Sequence, residues 1–391
     1  MTFFICPGCN RESGTIFHEQ TGVPVHSVLN MKTREAAVAF QRGDLRLAHC
    51  ANCGFIWNAA FDPTLMAYSS DCEESQGFSP TFNAFAKALA EDLISRHDLK
   101  GKTIIEIGCG KGEFLTLLCQ LGNNKGIGFD PAYVERRDGQ AKDGNIVFIQ
   151  DYYSEKYQSY RADFFCCRMT LEHIPDTGAF IRSVRKAVGD RKNAFVFFQV
   201  PDVTRILRDC AFEDIYYEHC SYFSPESLSA LFSMNSFHVV DVRTAYDGQY
   251  LLLEAVPTDH GKCHLEKNGH EVVIAELVSE FAHKLDRKTA WWRQFLNRMK
   301  TETRRTVIWG SGSKGVSFLT TLQVKDEIEF AVDINPYRQG TFMAGTGQRI
   351  VAPAFLKDYR PDCVIVMNAV YREEIERDLH QMRLHPKVMT L

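Results

Sequence analysis

From residue 82 onward the chain alternates between two hydrophobic periods. Phe82, Phe85, Ala86, Leu89, Leu93 and Ile94 recur three or four positions apart, which predicts a helix over 82–97 with one apolar face. Nearly continuous apolar runs follow at 103–107, 125–129, 146–150, 162–168 and 194–200. Each is too short for a helix, so each reads as a buried strand. A helix over 112–121 fits between the first two. Strand, turn and helix in that repeating order predict a parallel sheet, with ligands at the carboxyl ends of its strands. The theme returns later in the chain. Val273, Leu277, Phe281, Leu285, Trp291, Trp292, Phe295 and Met299 form the stripe of one long helix over 271–301, and strands are expected at 306–309, 330–333 and 363–367. The polar stretch 258–270 between the two alternating regions reads as a linker.

The sharpest chemistry sits where the first of these strands ends. Thr103 to Gly112 run from an apolar strand into a turn with glycines at 108, 110 and 112, which lets a ligand approach the backbone. A dinucleotide turn would place its third glycine at 113, where this chain has Glu113. Glu106 precedes the glycines, and Asp130 ends the second strand, where its carboxylate can accept from both hydroxyls of a ribose. An acid ahead of the turn suits a cationic ligand without phosphates, and S-adenosylmethionine fits. The pattern resembles the glycine-rich and acidic motifs of class I methyltransferases. In that architecture the loop after the third strand covers the adenine, so Asp151 is either an acceptor for its exocyclic amine or a helix N-cap.

Four of the thirteen cysteines are paired by spacing: Cys6-Pro-Gly-Cys9 and Cys50-Ala-Asn-Cys53. Two such knuckles can place four thiolates around one tetrahedral Zn²⁺. A shell closed by four sulfurs leaves no position for water or substrate, so the expected zinc is structural. The forty residues between the pairs leave room for a hairpin or a helix.

A polar segment, Phe212 to Ser224, follows the fifth strand and holds Tyr216, Tyr217, Glu218, His219 and Tyr222. One arrangement makes His219 a general base, with Glu218 accepting from its other ring nitrogen and Tyr216 donating to an oxygen that gains charge. In the alternative, Tyr222 and Phe223 are core and Glu218-His219 a solvated pair. His173, in Leu171-Glu172-His173 after the fourth strand, is a candidate for substrate contact or for packing beneath the cofactor. Near the C-terminus, Gly310-Ser-Gly312-Ser-Lys314-Gly315 is a literal Gly-x-Gly-x-x-Gly between a strand and a helix. It reads as an NAD site, as a site for the nucleotide part of a substrate, or as a turn kept for packing. Asn368, at the end of the strand 363–367, would face the same edge.

Composition narrows the rest. At 391 residues the chain exceeds one ordinary core, and the pattern divides it into 1–75 (zinc-binding), 76–257 (methyltransferase) and 258–391 (helix plus C-terminal domain). A formal net charge of −4 gives no electrostatic case for nucleic acid or an anionic membrane. Its apolar runs are far short of a membrane span, and the N-terminus lacks the pattern of a secretory signal, so the expected location is cytoplasmic with reduced thiols.

In order, the two Cys-x-x-Cys pairs, the Glu106 to Gly112 motif, Tyr216-Tyr217-Glu218-His219 with Ser221-Tyr222-Phe223, and the C-terminal Gly-x-Gly-x-Lys-Gly resemble the deoxysugar C-methyltransferases over essentially the whole chain. The resemblance implies an α/β fold: a class I Rossmann-like sheet flanked by a small zinc-binding domain and a C-terminal Rossmann-like domain that helps bind substrate. It implies S-adenosylmethionine as cofactor and a nucleotide-linked 4-keto-6-deoxy sugar as acceptor, methylated at C3 after the residue matching His219 removes a proton, helped by those matching Tyr216 and Glu218. Tyr222, His173, Gly310, Gly312, Lys314 and Asn368 are then candidates for substrate contact. An O- or N-methyltransferase on another small metabolite is the alternative. Two positions depart from the family pattern. Tyr217 stands where a histidine is common, and Tyr68 lies early in the joining loop for the active-site tyrosine found there. Oligomeric state is left open.

Overall fold

A computed structural model describes residues 4–66, 68–135, 144–191, 193–259 and 270–391. Three sheets organise them. The central one has seven strands in the order Phe237–Ala245, Tyr250–Pro257, Phe195–Pro201, Phe164–Arg168, Thr103–Ile107, Lys125–Phe129, Ile146–Ile149. The last five run parallel, and the first two add an antiparallel edge. Crossovers leave Thr103–Ile107 first to one side and then to the other, so the order reverses between it and Phe164–Arg168. A switch point of that kind opens a crevice at the carboxyl ends of the strands. The expected helices are Pro80–His97 and Glu113–Gly122, the first capped by Ser79, whose hydroxyl accepts from the Phe82 amide.

The C-terminal sheet is entirely parallel, in the order Arg349–Val351, Phe330–Val332, Thr306–Trp309, Cys363–Val366, Lys387–Thr390. Its own switch point falls between Thr306–Trp309 and Cys363–Val366, which brings the Gly310 turn and Asn368 to one crevice. The long helix spans His270–Thr301. Phe281 packs edge-on to Phe17, while Trp292 packs edge-on to Phe318, so this helix braces the N-terminal region against the C-terminal sheet. Most of the expected linker, 260–269, lies outside the described residues. No helix among the described residues is long and apolar enough to cross a membrane.

The N-terminal sheet is antiparallel: Phe4–Ile5, Glu12–Pro24, Arg42–Cys50, Ile56–Asn58, then Ser221–Tyr222. Between the cysteine pairs the chain forms both a hairpin and a short helix, Arg34–Val38. The fifth strand is unexpected, because it comes from the polar segment more than 160 residues later in the chain. Tyr222 pairs with Ile56 and is buried in the apolar cluster that also holds Leu47, Ile56 and Tyr217. Tyr222, a candidate substrate contact by sequence, is therefore core and lies outside the cavity described next.

Candidate active site

The three parts meet around one cavity of about 1040 Å³. Both glycine-rich turns, the polar segment and the loop 72–79 line it. That loop ties the parts together. Lys111, buried within the first glycine turn, donates to the carbonyls of Cys72 (2.8 Å) and Ala132 (2.6 Å). Arg338 of the C-terminal domain donates to the Glu73 carbonyl at 2.8 Å, and Asn335 donates to the Glu73 carboxylate at 2.8 Å.

At the first turn, Gly108, Gly110 and Gly112 have φ of +70°, +53° and +83°, a region L-residues seldom adopt. A Cβ on Gly108 would fall 1.9 Å from the Thr170 hydroxyl, and one on Gly112 would fall 2.4 Å from the Phe148 ring. Gly112 caps the helix Glu113–Gly122 and is set back from the cavity. Three carboxyls surround the turn. Glu106 is buried with Oε2 lacking any partner, and burial pushes its pKa up to about 7. Glu74 reaches over Gly110 from the joining loop. Asp130 accepts from the amides of Gly110 (2.9 Å) and Ala132 (2.7 Å), which pins the second strand to the turn and leaves lone pairs on both oxygens. An orphaned buried carboxylate inside an acidic rim fits a cationic ligand such as S-adenosylmethionine. Asp151 turns toward its own loop, accepting from the Tyr152 amide, the Tyr157 hydroxyl at 2.6 Å and Lys156. It caps no helix, since the cap position of the 3₁₀ turn Glu155–Tyr157 is Ser154.

Across the cavity, the Tyr216 hydroxyl lies 2.7 Å from His219 Nε2. His219 is 2% exposed and its Nδ1 has no partner. Burial, helped by His173 and Lys314, pushes the His219 pKa well below its usual value, so the ring is neutral. Two features differ from the arrangement expected for these residues. The Tyr216 hydroxyl meets His219 itself, and Glu218 does not touch His219. The Glu218 carboxylate accepts instead from the Ser27 amide at 2.9 Å and from the Ser27 hydroxyl, and it pairs with His26 Nδ1 at 3.0 Å. Burial opposes its ionisation, but His26 and Ser27 outweigh that and hold its pKa below the usual carboxylate value. Ser27 also contacts Ser313 at 2.7 Å, so residues from all three parts converge near His219.

Tyr68 does reach this cluster despite its early position. Its hydroxyl lies 2.8 Å from His173 Nδ1, which is also 2.9 Å from the Glu218 carbonyl. Tyr217, the departure from the family pattern, points away from the cavity: it is fully buried over Gly43, and its hydroxyl accepts from the Asp62 amide at 2.8 Å. At the second glycine turn, Gly310, Gly312, Lys314 and Asn368 all line the cavity. Lys314 is paired with Asp214, which Arg205 also contacts at 2.6 Å. Asn368 and Gln249 exchange two hydrogen bonds of 2.9 and 3.0 Å across the boundary between domains. Sequence reasoning passed over His26, Ser27, Glu73, Glu74, Glu172 and Arg338. Only Glu172 carried a local signal, its place beside His173.

The four cysteines of the N-terminal pairs also come together. Cys6 and Cys53 sulfurs are 3.7 Å apart, as are those of Cys9 and Cys50, and all four lie within 4.8 Å of one another. Metal–sulfur bonds of about 2.3 Å in a tetrahedron give edges of roughly 3.8 Å, so the donor set fits Zn²⁺.

Residues 82–242 match a family model described as a methyltransferase domain, and residues 265–386 match a C-methyltransferase C-terminal domain. The C-methyltransferase NovU of Streptomyces niveus is 26% identical over 291 residues, spanning 70% of this chain and 68% of its own length. A ubiquinone biosynthesis O-methyltransferase of Proteus mirabilis is 30% identical over 105 residues, 26% of this chain and 42% of that relative. Magnesium protoporphyrin IX methyltransferase from Synechocystis PCC 6803, solved with bound SAH, covers 46% of this chain and 84% of its own at 16% identity and a TM-score of 0.36. The chain is thus an S-adenosylmethionine-dependent methyltransferase that carries the C-terminal domain of the C-methyltransferases.

Proposed function

We propose that this enzyme methylates a carbon next to a ketone, C3 of a nucleotide-linked 4-keto-6-deoxy sugar, with His219 as the base. The observation that carries the reading is a neutral, buried imidazole with a phenol on its Nε2, on the wall of the cavity that also holds the acidic glycine turn. A C–H proton becomes removable only beside a carbonyl, and it needs a base that is uncharged at working pH. With Tyr216 donating to Nε2 the ring proton is on Nδ1, and the Nε2 lone pair serves as base once the acceptor takes the place of the phenol. Glu218 holds the segment in place through His26 and Ser27 rather than by orienting His219 directly. Glu106 and Asp130 bind the cofactor, which when bound supplies an electrophilic methyl on a sulfonium. The cavity is long enough to reach the second glycine turn, where Gly310, Gly312 and Asn368 would meet the nucleotide end of the acceptor. Lys314 is held at that turn by its pairing with Asp214. Cys6, Cys9, Cys50 and Cys53 hold a structural zinc that takes no part in the chemistry.

Purified enzyme incubated with S-adenosylmethionine and nucleotide-linked 4-keto-6-deoxy sugars tests the reading. Mass spectrometry should find one sugar heavier by a CH₂ unit, and the His219→Asn variant should lose roughly 10²–10⁴ of the rate while binding cofactor normally. The Asp130→Ala variant should instead weaken cofactor binding by about tenfold or more, as expected for losing charge-assisted hydrogen bonds. Methylation of an alcohol or amine acceptor, with the ketones untouched, would select the O- or N-methyltransferase alternative.

A further inference from the structure

Glu172 is a buried carboxyl that the arrangement above leaves unused. It sits in the 3₁₀ turn Leu171–His173 at the carboxyl end of the strand Phe164–Arg168, beside the switch point of the central sheet. The side chain is 1% exposed, and neither carboxylate oxygen has a hydrogen-bond partner. Buried carboxyls are normally satisfied, and an unpartnered one costs stability unless a ligand completes it. Oε1 lies 4.0 Å from His219 Nε2, and both residues line the cavity.

The groups around it set its charge. His219 and Tyr216 face it from the polar segment, His173 follows it in its own turn, Cys220 contacts its carbonyl oxygen at 3.5 Å, and Cys167 ends the preceding strand. Burial keeps both histidines neutral and both thiols and the phenol protonated. None of these neighbours stabilises a carboxylate. Burial accordingly pushes the Glu172 pKa up to about 8, with only a backbone amide of its turn acting the other way.

We propose that Glu172 is a further catalytic residue: as a neutral carboxyl it donates a hydrogen bond to the carbonyl oxygen of the acceptor while His219 removes the neighbouring C–H proton. This rests on the ketone reading above. An α-carbon and its carbonyl oxygen are two bonds apart, so one such unit can span the space between Nε2 and Oε1. The C–H bond breaks, its proton goes to the Nε2 lone pair that the Tyr216 hydroxyl vacates as the acceptor enters, and its electron pair moves onto the oxygen as an enolate. Glu172 shares its proton with that oxygen but keeps it. When the enolate carbon takes the methyl group, the C=O re-forms and the imidazolium returns its proton to solvent. A carboxylic acid held neutral by an apolar site is an established kind of oxyanion donor.

The test compares wild type, Glu172→Gln and Glu172→Ala on the nucleotide-linked 4-keto-6-deoxyhexose. Methylation, exchange of the α-hydrogen in D₂O and cofactor affinity are followed against pH, with circular dichroism as the check on folding. Wild type should lose kcat as pH rises through about 8, because the donor proton is then lost. Glu172→Gln keeps an N–H donor, so it should retain kcat to within about tenfold and lose that alkaline break. Glu172→Ala should lose on the order of 10²–10³ in kcat and in exchange, the usual cost of one oxyanion donor, with cofactor affinity unchanged. Wild-type kcat in folded Glu172→Ala, or the same alkaline break in Glu172→Gln, would overturn the assignment. Should the alanine variant not fold, the break in the glutamine variant decides alone. A wild type that methylates no ketone sinks the ketone reading and this role with it; one that does, with the variants behaving otherwise, sinks only the role of Glu172.

Discussion

Replacing Gly112 by alanine tests whether the first turn is held by its backbone geometry or by the ring above it. The residue has φ +83°, where an L side chain costs about 1–2 kcal/mol. The new methyl would also fall 2.4 Å from two ring carbons of Phe148, and such overpacking costs about 1–3 kcal/mol. Against this, alanine restricts the unfolded chain and returns about 0.4–1 kcal/mol. The net expectation is a loss of about 2–4 kcal/mol. Phe148→Ala removes the obstructing ring, itself half-buried, at about 2 kcal/mol. In the double variant the clash is gone and only the backbone strain remains, so the two effects should fall short of additivity by about 1–3 kcal/mol. Equilibrium urea unfolding of the four proteins measures this, provided the slope with denaturant stays the same. A coupling of zero, or Gly112→Ala within about 0.5 kcal/mol of wild type, would show that the turn adapts and that the argument from steric exclusion is mistaken.

Removal of zinc by a strong chelator, or the Cys9→Ser variant, should unfold the N-terminal sheet, since structural zinc contributes about 10–16 kcal/mol in small folds. Metal analysis with hydrogen exchange over Glu12–Pro24 and Arg42–Cys50 would check it, and a metal-free protein with unaltered protection would refute the site. Glu254→Gln should cost up to about 3 kcal/mol: burial opposes ionisation of Glu254, yet His97 and Arg243, aided by Arg96, hold its pKa at about 2. A depressed carboxylate pKa gives stability that is present above the unfolded-state value and lost as pH falls through the folded one. The variant should therefore be flatter than wild type between about pH 4.5 and 2, and identical acid-unfolding profiles would count against the network.

Local spacing carried much of this architecture. Strand ends, glycine turns and cysteine pairs are short-range features, and the glycine turn after Thr103–Ile107 and the sulfur cluster lie where their spacing pointed. What stayed hidden depends on partners distant in the chain. Nothing near Glu218 indicates that its carboxylate is taken by His26 and Ser27, 192 and 191 residues away. Tyr217 looked like a lost imidazole, but its neighbours Gly43 and Asp62 lie in the N-terminal region and turn it into an anchor. Asp130 and Asp333 end equivalent strands and behave alike: Asp130 accepts from the Gly110 amide, and Asp333 from the Ser311 amide at 2.9 Å. Asp130 was legible as a strand-end acid, but nothing local shows that either acid folds back to close its own turn.

The strand Ser221–Tyr222 limits how this enzyme can be cut or recombined. It begins two residues after His219 and completes the sheet that carries the cysteine cluster. A truncation starting near residue 76 would strip that strand of its partner and free the segment that positions His219. A chimera joining the first 75 residues of one homologue to the remainder of another would pair strands that never evolved together. Successful crossovers would have to exchange residues 216–223 along with the N-terminal region. Natural lineages face the same constraint, so these two stretches are expected to be inherited as a unit although 140 residues separate them.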